Sequence, residues 1–434
     1  MRCSRDQCGL WKTWKHASFI LTLQNTGISL APISGVEGST TEVIYSHSAE
    51  NRVAANAQGR GFPFQNGQDV ALNFVSARAG RLRPSVRWCG IFLLGVFLVL
   101  AATSQGAVPS NARKVIIDTD PGTDDAIAIL LALNSPELDV RALTVVPGNV
   151  TAELGLENAL KLASLANRCD FPVAGGAQHP LFQKLITAEF WHGKNGLANV
   201  ELPPSKCKAD ARFGPDLIIQ MVHEHPHEIT LLPIGPETNI ALAVLKDPSI
   251  VPLVKEVIVM GGSISGGNVN AAAEANIYND PEAAQIVFQA GWRVIMAGLD
   301  VGNVTLFTRK HVEQLAKTHG PENDFMVAVT SYLVALSEKF GEAGAPMYDP
   351  LAVGAAIDPT IVKTQPMHVD VETRGEFSRG ETVANRQNMI ERNVLHGDRY
   401  IIEGVDKVAP NVQVCVGVDS ERFIQLFISR LQGK

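Results

Sequence analysis

At 434 residues, with 46% hydrophobic and 19% charged side chains, the chain carries ample material for a globular core, and its length allows either several domains or one large α/β fold with attached segments. Its net charge of −7 is unevenly spread: residues 1–88 hold ten Lys and Arg against five Asp and Glu, residues 89–108 hold none, and the remainder has 27 basic against 39 acidic residues. An acidic domain without basic clusters argues against nucleic acid as a ligand and accommodates a divalent cation more easily.

Residues 1–80, rich in Ser, Asn, Gly and Ala and without a sustained helical or strand period, read as a processed or disordered leader. Residues 81–108 form a signal-like hydrophobic segment: a basic stretch, an apolar run from Ile91 to Ala102, then small polar residues. The run is short for a membrane span. It also lies late for a cleaved signal, and no methionine falls between Met1 and Met221 to provide a later start. An uncleaved signal anchor, a transit peptide ahead of a hydrophobic segment and an incorrectly predicted first exon all stay open. The reading leans toward the secretory pathway or membrane association through residues 88–103, with the cytoplasm as the alternative. Only Cys169, Cys207 and Cys415 of the six cysteines lie in the acidic part, which shows neither a CxxC metal spacing nor a disulfide framework.

From Arg113 the pattern changes, and residues 109–434 read as one catalytic domain. "KVIIDTD" predicts a buried parallel strand and "DDAIAILLALNS" a helix with Asp at its positive N-terminal end. "LDVRALTVVPGN" gives a second strand and "TAELGLENALKLASLAN" a second helix; "HEITLLPIGPETNIALAVLK", "VKEVIVMGG" and "WRVIMAGLD" continue the alternation. Such strands imply an α/β fold with a mostly parallel central β-sheet flanked by helices, open and doubly wound. Ligands of these sheets bind beyond the carboxyl ends of the strands, and every polar cluster below falls at such an end.

The first cluster, Asp118, Asp120, Asp124 and Asp125 around Pro121-Gly122, crowds four carboxylates where repulsion calls for a cation or shared protons. Clustered Asp with carbonyls and waters suits calcium. Asn149 follows a strand, and Ile234 precedes a Gly-Pro turn. Asn268, Glu274 and Asn276 sit in a Gly/Ala-rich loop, where amides and carboxylates suit a hydroxyl-rich ligand. Asp349, before Pro350 and an apolar helix, stands where an N-cap would stand. His192, in "FWHGKNGL", suggests a lid near a ligand.

Together these segments resemble the nucleoside hydrolases, which cleave the N-glycosidic bond of ribonucleosides. Residues 118–125 match the family's DxDPGxDD signature, and "HGKNGL" and "GNVNAAAEANIYNDPEAA" are similar to the plant branch that cleaves uridine and inosine. The resemblance implies the nucleoside hydrolase fold and a calcium ion held by Asp120, Asp125, Asp349 and the Ile234 carbonyl. It implies Asp120 as general base on a calcium-bound water, Asp124 on the ribose 2′-hydroxyl with Asn149 close by, and Asn268, Glu274 and Asn276 on the 3′- and 5′-hydroxyls. Asp118 becomes a supporting residue. Some members place a His immediately before the last metal-ligand Asp; Tyr348 stands there, either donating a hydrogen bond to the base or stacking on a purine. His192 is the other candidate contact to the leaving base, and Ala275 replaces a frequent aromatic residue. The implied partner is a small ribonucleoside, and the implied assembly a homodimer or homotetramer.

Two other classes compete. A phosphohydrolase of the haloacid-dehalogenase type would use Asp118 as nucleophile in a DxDxT pattern, but the Pro-Gly-Thr-Asp-Asp continuation fits it poorly. A nucleoside-binding or sensing protein with lost or slow turnover is the non-enzymatic alternative.

Overall fold

The structure, a computed structural model, describes residues 19–24, 27–32, 111–385 and 409–432. The chain divides into two units, 1–85 and 86–434. In the first, β1 (Phe19–Gln24) pairs antiparallel with β2 (Gly27–Pro32), a ladder within the segment read as a leader without strand period. The signal-like run 91–102 lies outside the described residues. Among the described residues, no helix is long and apolar enough to cross a membrane.

In the second unit the chain runs through β3 (Arg113–Thr119), α1 (Thr123–Leu133), β4 (Leu138–Val145), α2 (Ala152–Leu165), β5 (Val173–Gly175), α3 (Glu189–His192) and α4 (Gly214–Glu224). Next come β6 (Thr230–Pro233), α5 (Thr238–Lys246), β7 (Glu256–Val259), α6 (Ala275–Asn279), α7 (Pro281–Gln289), β8 (Val294–Met296) and α8 (Leu299–Gly302). β9 (Leu306–Phe307), α9 (Arg309–Leu315), α10 (Pro321–Lys339), β10 (Ala345–Pro346), α11 (Tyr348–Ile357), β11 (Val362–Val371), β12 (Thr382–Asn385), β13 (Val412–Val418) and α12 (Ser420–Gln432) complete it.

Nine of these strands form one sheet in the order β12-β11-β13-β8-β7-β6-β3-β4-β5. Neighbours from β13 to β5 are parallel, and β11 is antiparallel to β13 and β12. The chain leaves β3 toward β4 and β5, then returns to β6 on the other side. The gap between β3 and β6 is therefore the topological switch point, where loops diverge and leave a crevice.

Side chains alternate across the pleat, so successive residues of β3 feed opposite faces. Val115 and Ile117 join a core with α1, α2, α11 and α12, while Ile116 joins a second core with α4, α5 and α7. Two covered faces explain why the strands read as nearly continuous apolar runs. Helix α1 is buried from Ala126 to Ala132, because it packs between the sheet and α11. With no solvent face there, the only polar residues of α1 lie in its first turn, at the mouth of the crevice.

Candidate active site

Chain geometry at the end of β3 concentrates the carboxylates. Asp118 still lies in the ladder, and its Oδ1 accepts from Thr144 Oγ1 (2.5 Å) on β4 and Asn239 Nδ2 (2.7 Å) on α5. Burial pushes it up to about 7, against those two bonds. A side chain tied sideways to both neighbouring elements is not poised as a nucleophile, contrary to the phosphohydrolase alternative. Asp125 is held on both oxygens: Thr119 Oγ1 (2.6 Å) and the Asp120 N–H (3.1 Å) donate to Oδ1, and the Gly122 N–H (3.0 Å) and Asn149 Nδ2 (2.9 Å) donate to Oδ2.

Asp120 accepts the Asn149 N–H on Oδ2 at 2.5 Å. A Cβ added at Gly148 would stand 2.0 Å from Oδ2, and one at Gly235 would stand 2.4 Å from Oδ1. Two bare backbones therefore clasp this carboxylate, a constraint that the sequence reading missed although it quoted both segments. Asp120 Oδ1, Asp124 Oδ1 and Asp349 Oδ2 are buried without a hydrogen-bond partner. Asp124, Asp125 and Asp349 each bring an oxygen within 4.8 Å of the others. Burial holds Asp120 far above the usual carboxylate range, with Asp125 and Asp124 adding to it; Asp349 is raised likewise by burial, then by Asp124, Asp125 and Asp120. Burial also pushes Asp124 up to about 6. Unpartnered oxygens on converging buried carboxylates suit a hard cation with oxygen ligands.

The close trio contains Asp124 where the resemblance implied Asp120. Ile234 lies in the same crevice, and its carbonyl accepts from Asn276 Nδ2 at 3.0 Å. Asn276 Nδ2 also donates to the Met260 carbonyl at 3.1 Å. Glu274 caps α6 from a buried position: Oε1 accepts the Asn276 N–H (3.0 Å), and Oε2 accepts those of Gly262 and Ile277 (both 3.1 Å). Asn268 is exposed, its main chain is held to Ala273, and its side chain makes no hydrogen bond among the described residues. A cavity of about 630 Å³ lined by Ser263, Ser265, Thr382 and Ala384 opens beside this loop and includes none of the acidic cluster. The carboxylates, rather than that cavity, mark the chemistry.

His192 reaches the acidic turn from α3, whose preceding Ala188 N–H donates to the Asn149 carbonyl (2.9 Å). Its Nδ1 accepts the Thr123 N–H (3.1 Å), lies 2.7 Å from Thr123 Oγ1 and is 3.6 Å from Asp124 Oδ1. Accepting from a main-chain N–H fixes Nδ1 as the unprotonated nitrogen, leaving the proton on Nε2. Burial pushes the imidazole down to about 4, opposed by Asp125. Beside it, Phe190 and Trp191 are exposed and contact Phe340 at ring distances of 5.8 and 5.3 Å. Tyr348 donates its hydroxyl to Asn303 Oδ1 at 2.8 Å, and its ring lies against Gly302, where a Cβ would be 2.3 Å away. Burial first, then Asp124 and Glu274, raise its already weak acidity threshold further.

Sequence reasoning also missed Glu237 and Asn239 in the quoted "GPETNI" segment, and Asn303. One expectation is corrected outright: Cys169 and Cys207 form a disulfide, with Cα atoms 5.1 Å apart across 38 positions. Local spacing rules could not see it, because the fold brings the end of α2 against the 202–213 segment.

Residues 115–425 match the sequence model of the inosine-uridine preferring nucleoside hydrolase family. The pyrimidine-specific ribonucleoside hydrolase RihA of Salmonella typhimurium is 38% identical over 323 residues, covering 74% of this chain and 99% of that protein. Among solved structures, the plant nucleoside hydrolase PpNRh1 superposes with a TM-score of 0.68 at 38% identity, covering 74% of this chain and 99% of its own. A purine-preferring ribonucleoside hydrolase from Gardnerella vaginalis gives 0.67 at 35% identity, covering 74% and 98%.

Proposed function

The chain belongs to the inosine-uridine preferring nucleoside hydrolase family, and from that premise we propose how its residues run the reaction. It is a ribonucleoside hydrolase, an N-glycosyl hydrolase. Our reading is that hydrolysis is calcium-dependent, acts on uridine- and inosine-type ribonucleosides, and uses Asp120 as general base. The supporting observation is the convergence of Asp120, Asp124, Asp125 and Asp349 at the switch point with three oxygens unpartnered.

Asp120, Asp125, Asp349 and the Ile234 carbonyl would hold the calcium, with Asp124 beside them. When bound, calcium acts as a Lewis acid that orients a water and lowers its pKa. Asp120 accepts the water's proton, and Gly148, Gly235 and the Asn149 N–H hold its carboxylate in one orientation. Asp124 takes the ribose 2′-hydroxyl, with Asn149 alongside, while Glu274, Asn276 and Asn268 take the 3′- and 5′-hydroxyls. Positive charge grows on the ribose as the C–N bond breaks. Carboxylates nearby favour that charge over the neutral substrate, which is what lowers the barrier.

At the leaving base, His192 is a neutral donor: with Nδ1 occupied by Thr123, Nε2–H offers a hydrogen bond rather than a full proton. Tyr348, bound to Asn303, is better suited to shaping the base pocket than to acid catalysis. Base preference is read in the test, since RihA is named pyrimidine-specific and the Gardnerella protein purine-preferring.

The test follows free-base release by the purified full chain from uridine, inosine, adenosine, cytidine and 2′-deoxyuridine, with calcium and with chelator. Calcium-dependent release from ribonucleosides and its near absence for the deoxy form are expected. Release unaffected by chelator overturns the metal reading. Tight nucleoside binding without release would promote the sensing alternative.

A further inference from the structure

Asn158 has no place in the scheme above. It lies on α2 among alternating apolar residues, yet it is buried, at 1% exposure. Its amide gives its two N–H donors to two segments far apart in sequence: the Pro121 carbonyl at 3.2 Å and the Asn195 carbonyl at 2.9 Å. Pro121 belongs to the reversal between Asp120 and Asp124, and Asn195 to the loop that follows His192. One buried side chain thus bridges the acidic turn and the segment that bears the imidazole.

That loop is held in an unfavourable shape. Gly193, Gly196, Ala198 and Asn199 have φ of 78, 75, 57 and 60°. Two of the four are not glycine, and left-handed backbone of this kind persists only where the surroundings enforce it. Part of the enforcement is internal: Asn195 Oδ1 accepts the N–H groups of Leu197 and Asn199 (both 2.9 Å), Asn199 Oδ1 accepts that of Lys194 (2.9 Å), and the Ala198 N–H closes on the His192 carbonyl (2.8 Å). These bonds join the loop and the His192 main chain into one unit without fixing where that unit stands. Thr123 receives the imidazole; the backbone is placed by Asn158 and by the bare Gly196, where a Cβ would stand 2.9 Å from Asn158 Nδ2 and 3.0 Å from the Pro121 carbonyl oxygen. The acidic turn, by contrast, is fixed from within, since Asp125 accepts the Asp120 and Gly122 N–H groups. Loss of the Asn158 donors therefore frees the loop and leaves the turn in place.

We propose that Asn158 is a positioning residue for departure of the base: by tying the loop after His192 to Pro121, it sets where the imidazole stands relative to the carboxylates. The inference rests on the reading that His192 donates to the leaving base.

The test compares two substrates on the full chain with calcium. The base of uridine needs a donor as it leaves, whereas 4-nitrophenyl β-D-ribofuranoside releases an anion that is stable at neutral pH and needs none. Asn158→Leu, of similar shape and without donors, should lower kcat for uridine about tenfold. It should leave kcat for the nitrophenyl riboside within about threefold of wild type, because the carboxylates act on both substrates alike. A smaller folded fraction cannot mimic this, since it lowers both rates equally. In a His192→Ala background the uridine loss should vanish, because both changes disable one contact. Equal losses on the two substrates, a silent Asn158→Leu, or full additivity with His192→Ala overturns the proposal. A His192→Ala variant with wild-type kcat for uridine instead overturns the reading of His192 itself, so the two failures are distinct. Should Asn158→Leu not fold, Gly196→Ala pushes the same loop off Pro121 and should lower the ratio of uridine to nitrophenyl riboside turnover about tenfold; an unchanged ratio overturns the proposal.

Discussion

Asn149 shows how much one residue carries here. Its N–H holds Asp120, its side-chain amide holds Asp125, and its carbonyl holds the segment leading to His192. Replacing it with leucine leaves both main-chain bonds available and removes only the donor to Asp125. Such supporting bonds typically govern 10- to 100-fold in metal affinity, so N149L should weaken calcium binding by about that factor in a calorimetric titration. Unchanged affinity would mean that Asp125 needs no such orientation. A methyl group tests Asp120 in the same way. G148A places a Cβ 2.0 Å from Asp120 Oδ2, so the carboxylate must move. A displacement near 1 Å costs about 100-fold in rate, and kcat for uridine should fall by roughly that much. A G148A enzyme of wild-type kcat would remove Asp120 from the base role.

Elements set which residues can meet. Pro121 and Gly122 stop β3 and start α1 within three residues, which folds Asp118 and Asp120 back toward Asp124 and Asp125. That much was legible in "DTDPGTDD". The role of α3 was not: a four-residue helix has no periodic signature, and "FWHG" alone gave only a hint of a lid. In the structure α3 is docked, with His192 buried against Thr123. The Cys169–Cys207 bridge closes the stretch that bears α3. By loop-closure entropy, a loop of this length gains about 4 kcal/mol from its crosslink. Denaturant unfolding of a Cys169→Ser/Cys207→Ser variant should therefore show a loss of that order. An unchanged midpoint, or two titratable thiols at these positions in the native protein, would contradict the bridge.

At the scale of the molecule, the switch point between β3 and β6 gathers carboxyls from four segments, and this links metal, pH and stability. Asp118 and Asp124 are raised by burial to about 7 and about 6. A carboxyl raised above its unfolded value contributes stability that is fully present below the unfolded pKa of about 4 and is lost as pH rises through the folded pKa. His192, depressed to about 4 by burial, works in the opposite sense, and stability falls as pH drops from about 6.5 toward 4. With two raised carboxyls against one depressed imidazole, the chelated protein should lose stability steadily from about pH 4 to pH 8. On the proposed calcium site, saturating calcium should remove the loss on the alkaline side, since an ion held by ionised carboxylates of the folded state stabilises that state alone. Thermal melts across pH, with and without calcium, measure this. A chelated protein equally stable at pH 5.5 and 8 would show that the acidic cluster is not a buried, uncompensated group.

The sequence alone determined the α/β class, the parallel sheet and the acidic turn, because each is written in short-range pattern: apolar runs of strand length, helices with acidic starts, and a Pro-Gly reversal. It also set out the family resemblance through motifs in the right order. Tertiary structure alone decided the meaning of residues whose local pattern is bland. By local pattern Asp349 is an ordinary cap, and the resemblance alone marked it as a metal ligand; the packing of α11 on α1 is what brings it to Asp124 and Asp125. Gly148 and Gly235 read as turn residues until both close on Asp120, and Glu237, which no local pattern singles out, is found buried beside Gly261. The reason is physical: hydrogen bonding and periodicity act over a few residues and leave a mark on the chain. Burial and like-charge crowding arise only when strands far apart in sequence become neighbours.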